Sequence, residues 1–227
     1  MAHVLVLSAH PDLRLSRVNK ALLEAARALA AAEGATLDVR DLYALYPDYL
    51  IDVPAEQAAL QRADLVVWQH PVHWYGPPPL MKLWFDDVLA LGWAYGRAGG
   101  RDGTALRGKD VWLVASTGGT EAAYRPEGYN RYFFDAFLPP YEQTATLCGM
   151  RFLPPLLMHG AHQLGRAGLA EHVDTYRERL ASYPDWPELA DMDACPSCVL
   201  PEGDRPEPTT PAQSPAQSAA AVEEPAS

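Results

Sequence analysis

Three polar segments hold the side chains best suited to bind a small molecule, and each directly follows a strand-like apolar run. The first is AHPDLRLSRVNK at residues 9–20, the second is QHPVHWYGPPP at residues 69–79, and the third is STGGT at residues 116–120. Hydroxyl, imidazole and amide groups dominate the first and third segments, whereas aromatic rings and prolines dominate the second. Such groups suit a phosphate and a flat ring respectively.

The first segment has the composition of an anion site at the start of a helix. The first helical turn has N–H groups without intrahelical acceptors and carries the positive end of the helix dipole, so it attracts a phosphate. Ser16 is a natural N-cap, Arg17 and Val18 continue the turn, Asn19 can donate from its amide, and His10 can contact the phosphate or a ribityl chain. Because no G-x-G-x-x-G follows the first strand, a monophosphate such as that of FMN fits better than a dinucleotide.

A zinc site is the alternative interpretation of this segment. The combination of His10 with Asp12 resembles the start of the zinc-dependent de-N-acetylase motif, and His159 with His162 could supply further ligands. The acids that continue that motif are absent, because residues 13–15 read Leu-Arg-Leu. Zinc requires three well-placed protein ligands and a second shell. We therefore expect no metal.

The second segment is a loop of adjacent aromatic residues braced by prolines. A flat heteroaromatic ring can rest against Trp74 and Tyr75, and we expect the backbone N–H groups of residues 72–75 to bond its heteroatoms. This expectation assigns Val72 and His73 to the same contact. A purely structural role for the two aromatic side chains is the alternative.

The third segment combines hydroxyl groups with paired glycines. Gly118 and Gly119 let the backbone approach a ligand without an intervening side chain, and Thr117 and Thr120 offer hydroxyls. An ordinary turn is the alternative for this segment taken alone. Its position after a strand favours a binding role.

The elements that must position these segments alternate between strand and helix. Strands are predicted at residues 4–7, 37–39, 65–68, 111–115 and 152–158. Helices are predicted at residues 17–32, 55–62, 80–90, 132–148 and 169–182, the fourth interrupted or kinked at its two prolines. This alternation favours an α/β fold with a doubly wound, flavodoxin-like, five-stranded parallel sheet in the order 2-1-3-4-5. The three polar segments then meet at the carboxyl edge of that sheet.

Charge and composition divide the chain into two parts. Residues 184–227 contain nine acidic residues and one arginine, a net charge of −8, which leaves −3 of the total −11 for residues 1–183. We expect residues 1–183 to form one flavodoxin-like domain and residues 184–227 to be a disordered acidic tail rich in Pro and Ala, which includes Cys195 and Cys198. The absence of a basic run argues against nucleic acid as a partner. With no secretory signal and no long apolar stretch, we expect a cytoplasmic protein.

Several long stretches of the sequence carry a resemblance to a known family. They are AHP…SRVNK at 9–20, AEQAALQRADLVVWQHPVHWYGPPPLMKLWFD at 55–86, GWAYG at 92–96, TGGTE at 117–121 and CGMRFLPPLLMHG at 148–160. Residues 1–182 resemble the NAD(P)H:quinone reductase branch of the flavodoxin-like proteins. Within that branch they are most similar to the ancillary flavoproteins of glutathione-gated potassium efflux antiporters (the KefF/KefG type).

The resemblance implies a bound flavin, usually FMN in the short members of the family and FAD in the longer ones. It places the phosphate at His10 and residues 16–19, and the flavin ring at residues 72–75 and 117–120. It also implies a homodimer with the flavin near the subunit interface, so that Trp74 and Tyr75 meet the partner chain.

A mechanism follows from the same resemblance. NAD(P)H delivers a hydride to flavin N5 and leaves, and a quinone or similar electrophile then accepts the electrons in a ping-pong cycle. In the quinone reductases a tyrosine after the T-G-G loop and a histidine six residues later assist proton delivery. Tyr124 has the position of the tyrosine and is the candidate catalytic residue, whereas Asn130 stands in place of the histidine. Asparagine is no general acid at neutral pH, so the sequence leaves this relay incomplete.

A second function is also compatible with the resemblance. The chain would then be a regulatory subunit that docks on a membrane potassium efflux antiporter, at the inner face of the cell membrane, with secondary redox activity. The choice between FMN and FAD, between NADH and NADPH, and among acceptors stays open at the level of sequence.

Overall fold

The computed structural model describes residues 2–32 and 35–192, and their core is a five-stranded parallel sheet. Its strands are β1 (Val4–Ser8), β2 (Leu37–Asp41), β3 (Leu65–Pro71), β6 (Asp110–Ser116) and β7 (Arg151–Met158), while β4 (Arg97–Ala98) and β5 (Arg101–Asp102) form a short antiparallel hairpin. The sheet order is β2-β1-β3-β6-β7, with every neighbouring pair parallel. Counted along the sheet alone this is the order 2-1-3-4-5, so the predicted flavodoxin-like fold is confirmed.

Helices follow most of the strands and cover the sheet. They are α1 (Arg17–Ala30), α2 (Leu42–Leu45), α3 (Val53–Arg62), α4 (Pro79–Val88), α5 (Pro139–Leu147) and α6 (Arg166–Ser182). Single 3-10 turns lie at Leu13–Leu15, Glu121–Ala123, Phe134–Phe137 and Pro187–Ala190. Over residues 2–32 and 35–192, the helices all lack the length and apolar character needed to cross a membrane.

The central strands are continuous apolar runs because both of their faces are covered. All residues of β1, β3 and β6 are buried. Alternate side chains serve two core clusters, so that Trp68 packs in one layer and Val67 in the other. This two-sided burial explains why the strands were predictable from hydrophobic runs instead of from alternation.

The predicted helix over residues 132–148 is wrong in its first half. Helix α5 begins only at Pro139, and the residues before it form the separate 3-10 turn Phe134–Phe137. Proline has no N–H and disfavours helical geometry in the residue before it, so Pro139 starts a helix instead of continuing one. The ring of Phe134 packs instead against Tyr124, with centroids 5.2 Å apart.

Buried residues continue past residue 183, the predicted end of the domain. The Trp186 side chain is 3% exposed, its ring centroid lies 5.0 Å from that of Trp112, and its Nε1 donates to the Arg179 carbonyl at 2.8 Å. Leu189 joins the same core cluster. These two apolar residues lie at the start of a segment whose average composition is polar. A prediction from composition therefore did not detect them. The predicted disordered tail from residue 193 onward, with Cys195 and Cys198, lies outside the described residues.

Candidate functional site

A cleft of about 280 Å³ opens at the carboxyl edge of the sheet. The predicted site residues that line it are His10, Ser16, Arg17, Val18, Asn19, Val72, His73, Thr117 and Gly118. The predicted residues Trp74, Tyr75, Gly119, Thr120 and Tyr124 do not line it. Because the strands are parallel, loops after β1, β3 and β6 meet at one edge, as the sequence predicted.

The start of α1 forms one wall of the cleft and is built to receive an anion. Ser16 has extended backbone geometry, and its Oγ accepts from the Asn19 backbone N–H at 3.1 Å. Since Oγ acts there as an acceptor, its own hydrogen is left to donate to a ligand. The N–H groups of Arg17 and Val18, in the first turn, have no intrahelical acceptor. Three donors and the helix dipole therefore converge at this wall.

His10 adds a neutral donor to the same cleft. Its Nδ1 accepts from the Asp12 backbone N–H at 3.1 Å, which leaves the proton of a neutral imidazole on Nε2. Burial lowers the pKa of His10, and the nearby His73 lowers it further. The ring is therefore neutral at pH 7 and can donate from Nε2 to an anionic ligand.

Asn19 lies deeper than the sequence suggested. Its side chain is buried, and its amide nitrogen donates to Ser16 Oγ at 3.3 Å and to Ser116 Oγ at 2.9 Å. Both hydrogens of the amide that was predicted to donate to a phosphate are therefore engaged by these two hydroxyls. Its Oδ1 is buried without a hydrogen-bond partner among the described residues, so an unused acceptor lies in the wall of the cleft.

Two residues outside the predicted site support the floor of the cleft. Gln69 is fully buried in β3, and its Nε2 donates to Ser8 Oγ at 3.2 Å and to the Asn19 carbonyl at 3.4 Å. The Tyr176 hydroxyl of α6 donates to Gln69 Oε1 at 2.7 Å. This network ties α6, β3 and the start of α1 together. Its members are remote from one another in sequence, so no local pattern could indicate it.

Replacing Tyr176 by phenylalanine tests this network. We expect Tyr176→Phe to lower the free energy of unfolding by about 1–2 kcal/mol, because Gln69 Oε1 would be left buried without a donor. Urea unfolding followed by circular dichroism measures the change, with Tyr132→Phe, at a mostly exposed tyrosine, as the matched control. Equal stability of the two variants would show that the hydrogen bond contributes nothing.

The loop after β3 is a tight turn at two aromatic residues. The His73 N–H donates to the Gly76 carbonyl at 2.9 Å, and the Gly76 N–H donates to the His73 carbonyl at 3.2 Å. Trp74 and Tyr75 between them have φ of 50° and 66°, a geometry that costs roughly 1–2 kcal/mol for a residue with a side chain. Strain of this kind persists where surrounding contacts enforce it and is concentrated at functional sites.

This turn changes which N–H groups are free. Two of the N–H groups predicted to bind a ligand have acceptors within the protein: the Val72 N–H donates to the Ser116 carbonyl at 2.8 Å, and the His73 N–H donates to the Gly76 carbonyl. In the described part of the chain the N–H groups of Trp74 and Tyr75 have no acceptor. They are the donors that this loop can offer to a flat ring.

The loop after β6 is held against the residues that follow β7. Thr117 donates its N–H to the Met158 carbonyl at 2.8 Å, and its carbonyl accepts from Ala161 at 2.9 Å. A Cβ on Gly119 would lie 2.5 Å from the Tyr129 hydroxyl, whereas one on Gly118 would meet nothing closer than His162 at 3.5 Å. Packing against Tyr129 therefore explains why residue 119 is a glycine. At residue 118 the absence of a side chain leaves the backbone accessible from the cleft. His162, considered only as a metal ligand, lines this cleft because its loop follows β7 at the same edge.

Tyr124 is buried in an aromatic cluster behind the Thr117 loop. Its ring lies 5.2 Å from that of His159, and burial raises its pKa. Asn130 does not contact it in a relay: the Asn130 Oδ1 accepts from the Tyr75 hydroxyl at 3.1 Å. Asn130 therefore anchors the aromatic turn, and His159 is a neighbour of Tyr124 that can carry a proton.

The residues of the alternative zinc site do not assemble. Across residues 2–32 and 35–192, no three potential metal-ligating side chains of His, Cys, Asp or Glu come together as a set. The Asp12 carboxylate instead binds the Arg14 guanidinium at 2.9 and 2.7 Å, and these hydrogen bonds lower its pKa to about 2. His159 contacts Thr117 rather than His10.

Comparisons with known proteins agree with this fold. The ancillary protein KefF of the glutathione-regulated potassium-efflux system from Klebsiella pneumoniae is 45% identical over 185 residues, which cover 82% of this chain and 97% of that protein. The crystal structure of general stress protein 14 from Treponema denticola, in complex with FMN, is 36% identical with a TM-score of 0.68, and covers 79% of this chain and 96% of its own. The crystal structure of a putative quinone reductase from Klebsiella pneumoniae is 28% identical with a TM-score of 0.69, and covers 82% of this chain and 86% of its own.

A family model described as a flavodoxin-like fold (Flavodoxin_2) matches residues 2–180. That span contains β1, β3 and β6 together with the whole cleft. The fold, the relatives and the family model agree with the resemblance that the sequence motifs indicated. The chain belongs to the Flavodoxin_2 family of flavodoxin-like proteins.

Proposed function

We propose that this protein is an FMN-dependent NAD(P)H oxidoreductase that reduces quinones or similar electrophiles. The observation that carries the proposal is the cleft, which combines a helix N-terminus, a neutral histidine and an orphaned buried amide oxygen at one edge of a flavodoxin-like sheet. Each of these features matches a part of FMN: the first two match a phosphate and the third a ribityl hydroxyl.

Residues of the cleft and its two neighbouring turns would hold FMN in a defined orientation. The Ser16 hydroxyl and the N–H groups of Arg17 and Val18 would bind the phosphate, and Asn19 Oδ1 would accept from the ribityl chain. The free N–H groups of Trp74 and Tyr75 would then face the heteroatoms of the ring. FMN held there would supply the redox chemistry, which is transfer of a hydride from NAD(P)H through N5 to the acceptor in a ping-pong order. Tyr124 would donate the proton that the reduced acceptor needs.

The relatives support this proposal. General stress protein 14 binds FMN and is 36% identical to this chain. A relative named as a putative quinone reductase is 28% identical. Both cover more than three quarters of this chain.

A second candidate function is service as an ancillary subunit of a potassium efflux antiporter. The 45% identity to a protein named for that role favours it, and the two functions are compatible in one chain. Co-purification with a membrane transporter would distinguish it from a freestanding reductase.

We also propose a homodimer, since Trp74, Tyr129, Tyr132 and Phe133 are all more than half exposed near the aromatic turn.

Rapid-mixing spectroscopy tests the proposed reaction in its two halves. We expect NADH or NADPH to bleach the flavin absorbance of the FMN-loaded protein without oxygen, and a quinone added afterwards to restore it. If the quinone restores the absorbance after the oxidised nicotinamide has been removed, the result would fit the ping-pong order. A loaded protein whose flavin neither nicotinamide reduces would contradict the proposal.

A further inference from the structure

A buried chain of side-chain hydrogen bonds joins helix α6 to the first turn of α1. The Tyr176 hydroxyl lies 2.7 Å from Gln69 Oε1. Gln69 Nε2 in turn lies 3.2 Å from Ser8 Oγ and 3.4 Å from the Asn19 carbonyl oxygen. All four residues are at most 2% exposed. Solvent therefore has no ready access to these bonds, and a partner that is removed is not simply replaced by bulk water.

The direction of the bonds at Gln69 follows from the groups that it meets. A backbone carbonyl only accepts, so the nitrogen end of the Gln69 amide faces Asn19 and its oxygen end faces Tyr176. The Tyr176 hydroxyl is therefore the donor to Gln69 Oε1. Without that hydroxyl, the Gln69 amide would either keep a buried, unpaired oxygen or turn away from the Asn19 carbonyl.

Asn19 extends this constraint to a hydroxyl of the cleft. Its backbone N–H and its Nδ2 both donate to Ser16 Oγ, at 3.1 and 3.3 Å, and Nδ2 also donates to Ser116 Oγ at 2.9 Å. A hydroxyl oxygen has two lone pairs, and at Ser16 both accept from Asn19. The Ser16 hydrogen is therefore directed away from Asn19, and because Ser16 lines the cleft it is left for a ligand there.

We propose that Tyr176 is a remote positioning residue of the anion site at the first turn of α1. It acts through Gln69 and Asn19 to hold the Ser16 hydroxyl as a donor aimed at a phosphate. The proposal rests on the proposed function, in which FMN supplies that phosphate. Tyr176 does not line the cleft, so its hydroxyl acts on a ligand only through the residues between them. A donor that is ordered in advance binds its acceptor more tightly, because binding then requires no further ordering.

Riboflavin separates this role from a general loss of stability, because it lacks the phosphate. We expect Tyr176→Phe to raise the dissociation constant for FMN about 3–10-fold and that for riboflavin by less than about twofold. The matched control is Tyr183→Phe, since the Tyr183 hydroxyl donates to Asp110 Oδ2 at 2.8 Å at the opposite end of β6 from the cleft. This control should leave the affinity for either ligand within about twofold of wild type.

A double-mutant cycle tests the route through Ser16. If Tyr176 acts on the phosphate through the Ser16 hydroxyl, its effect should vanish when that hydroxyl is absent. In a Ser16→Ala protein, Tyr176→Phe should therefore change the ratio of FMN to riboflavin affinity by less than about twofold. The proposal would be overturned by an effect of equal size in both backgrounds, or by an unchanged ratio in Tyr176→Phe alone.

NMR of the FMN-free protein supplies a readout that does not depend on the flavin. We expect Tyr176→Phe to shift the side-chain amide signals of Asn19, whereas Tyr183→Phe should leave them in place. Wild-type protein that binds neither flavin would refute the proposed function. The Asn19 signals would then decide the positioning role by themselves: a shift in Tyr176→Phe would support it, and unchanged signals would overturn it.

Discussion

Ser16→Asp is expected to raise the dissociation constant for FMN by a factor of about 10²–10³. The aspartate keeps the N-cap, because its carboxylate accepts from the Asn19 N–H as Ser16 Oγ does at 3.1 Å. It removes a hydroxyl donor to the phosphate, worth about 1.5–3 kcal/mol, and places a like charge beside it. Each loss of about 1.4 kcal/mol weakens binding tenfold. Fluorescence titration of FMN into the cofactor-free protein measures the effect.

Riboflavin is the matched control for this substitution because it lacks the phosphate. We expect Ser16→Asp to bind riboflavin within about threefold of wild type and to unfold at the same urea concentration. Equal weakening toward both ligands would mean that the first turn of α1 does not hold the phosphate. Ser16→Asn caps the helix without adding a charge, so its dissociation constant for FMN should lie between those of wild type and Ser16→Asp.

Glu56→Ala is expected to cost about 3–5 kcal/mol of stability. Glu56 is fully buried in α3, and its carboxylate accepts from Arg40 Nε at 2.7 Å, from Trp84 Nε1 at 2.9 Å and from the Tyr46 hydroxyl. Removing it leaves a half-buried guanidinium without its counter-ion and two buried donors without an acceptor. This loss is a large fraction of the stability of a typical domain.

Urea unfolding against an exposed control decides this prediction. Glu24 in α1 is mostly exposed and lies 3.8 Å from Lys20, so Glu24→Ala should change the free energy of unfolding by less than about 0.5 kcal/mol. Similar values for the two substitutions would show that the Glu56 network contributes nothing. FMN should be left out of both titrations, because ligand binding to the native state masks such differences.

The sheet and the location of the site were predictable from local sequence. Aliphatic runs such as residues 65–68 indicated strands that are buried on both faces, and the order of strands and helices fixed which loops share an edge. The N-cap role of Ser16 was predictable for the same reason, since capping depends on residues three positions apart.

What the sequence missed depends on contacts between distant residues. Gln69 and Tyr176 meet across the domain, and His159 reaches Tyr124 only because β7 pairs with β6. Only two of the four N–H groups predicted for the aromatic turn are free, because Val72 donates to the Ser116 carbonyl at the end of β6 and His73 donates to the Gly76 carbonyl. Average composition likewise gave no sign that Trp186, in an otherwise polar segment, is buried in the core.

The central claim is that the cleft at the start of α1 holds one FMN by its phosphate. The most direct test is the visible absorption spectrum of the purified protein, followed by chromatographic identification of any chromophore released on denaturation. The account predicts a yellow protein that releases one FMN per chain. A colourless protein that cannot be reconstituted with FMN would contradict it.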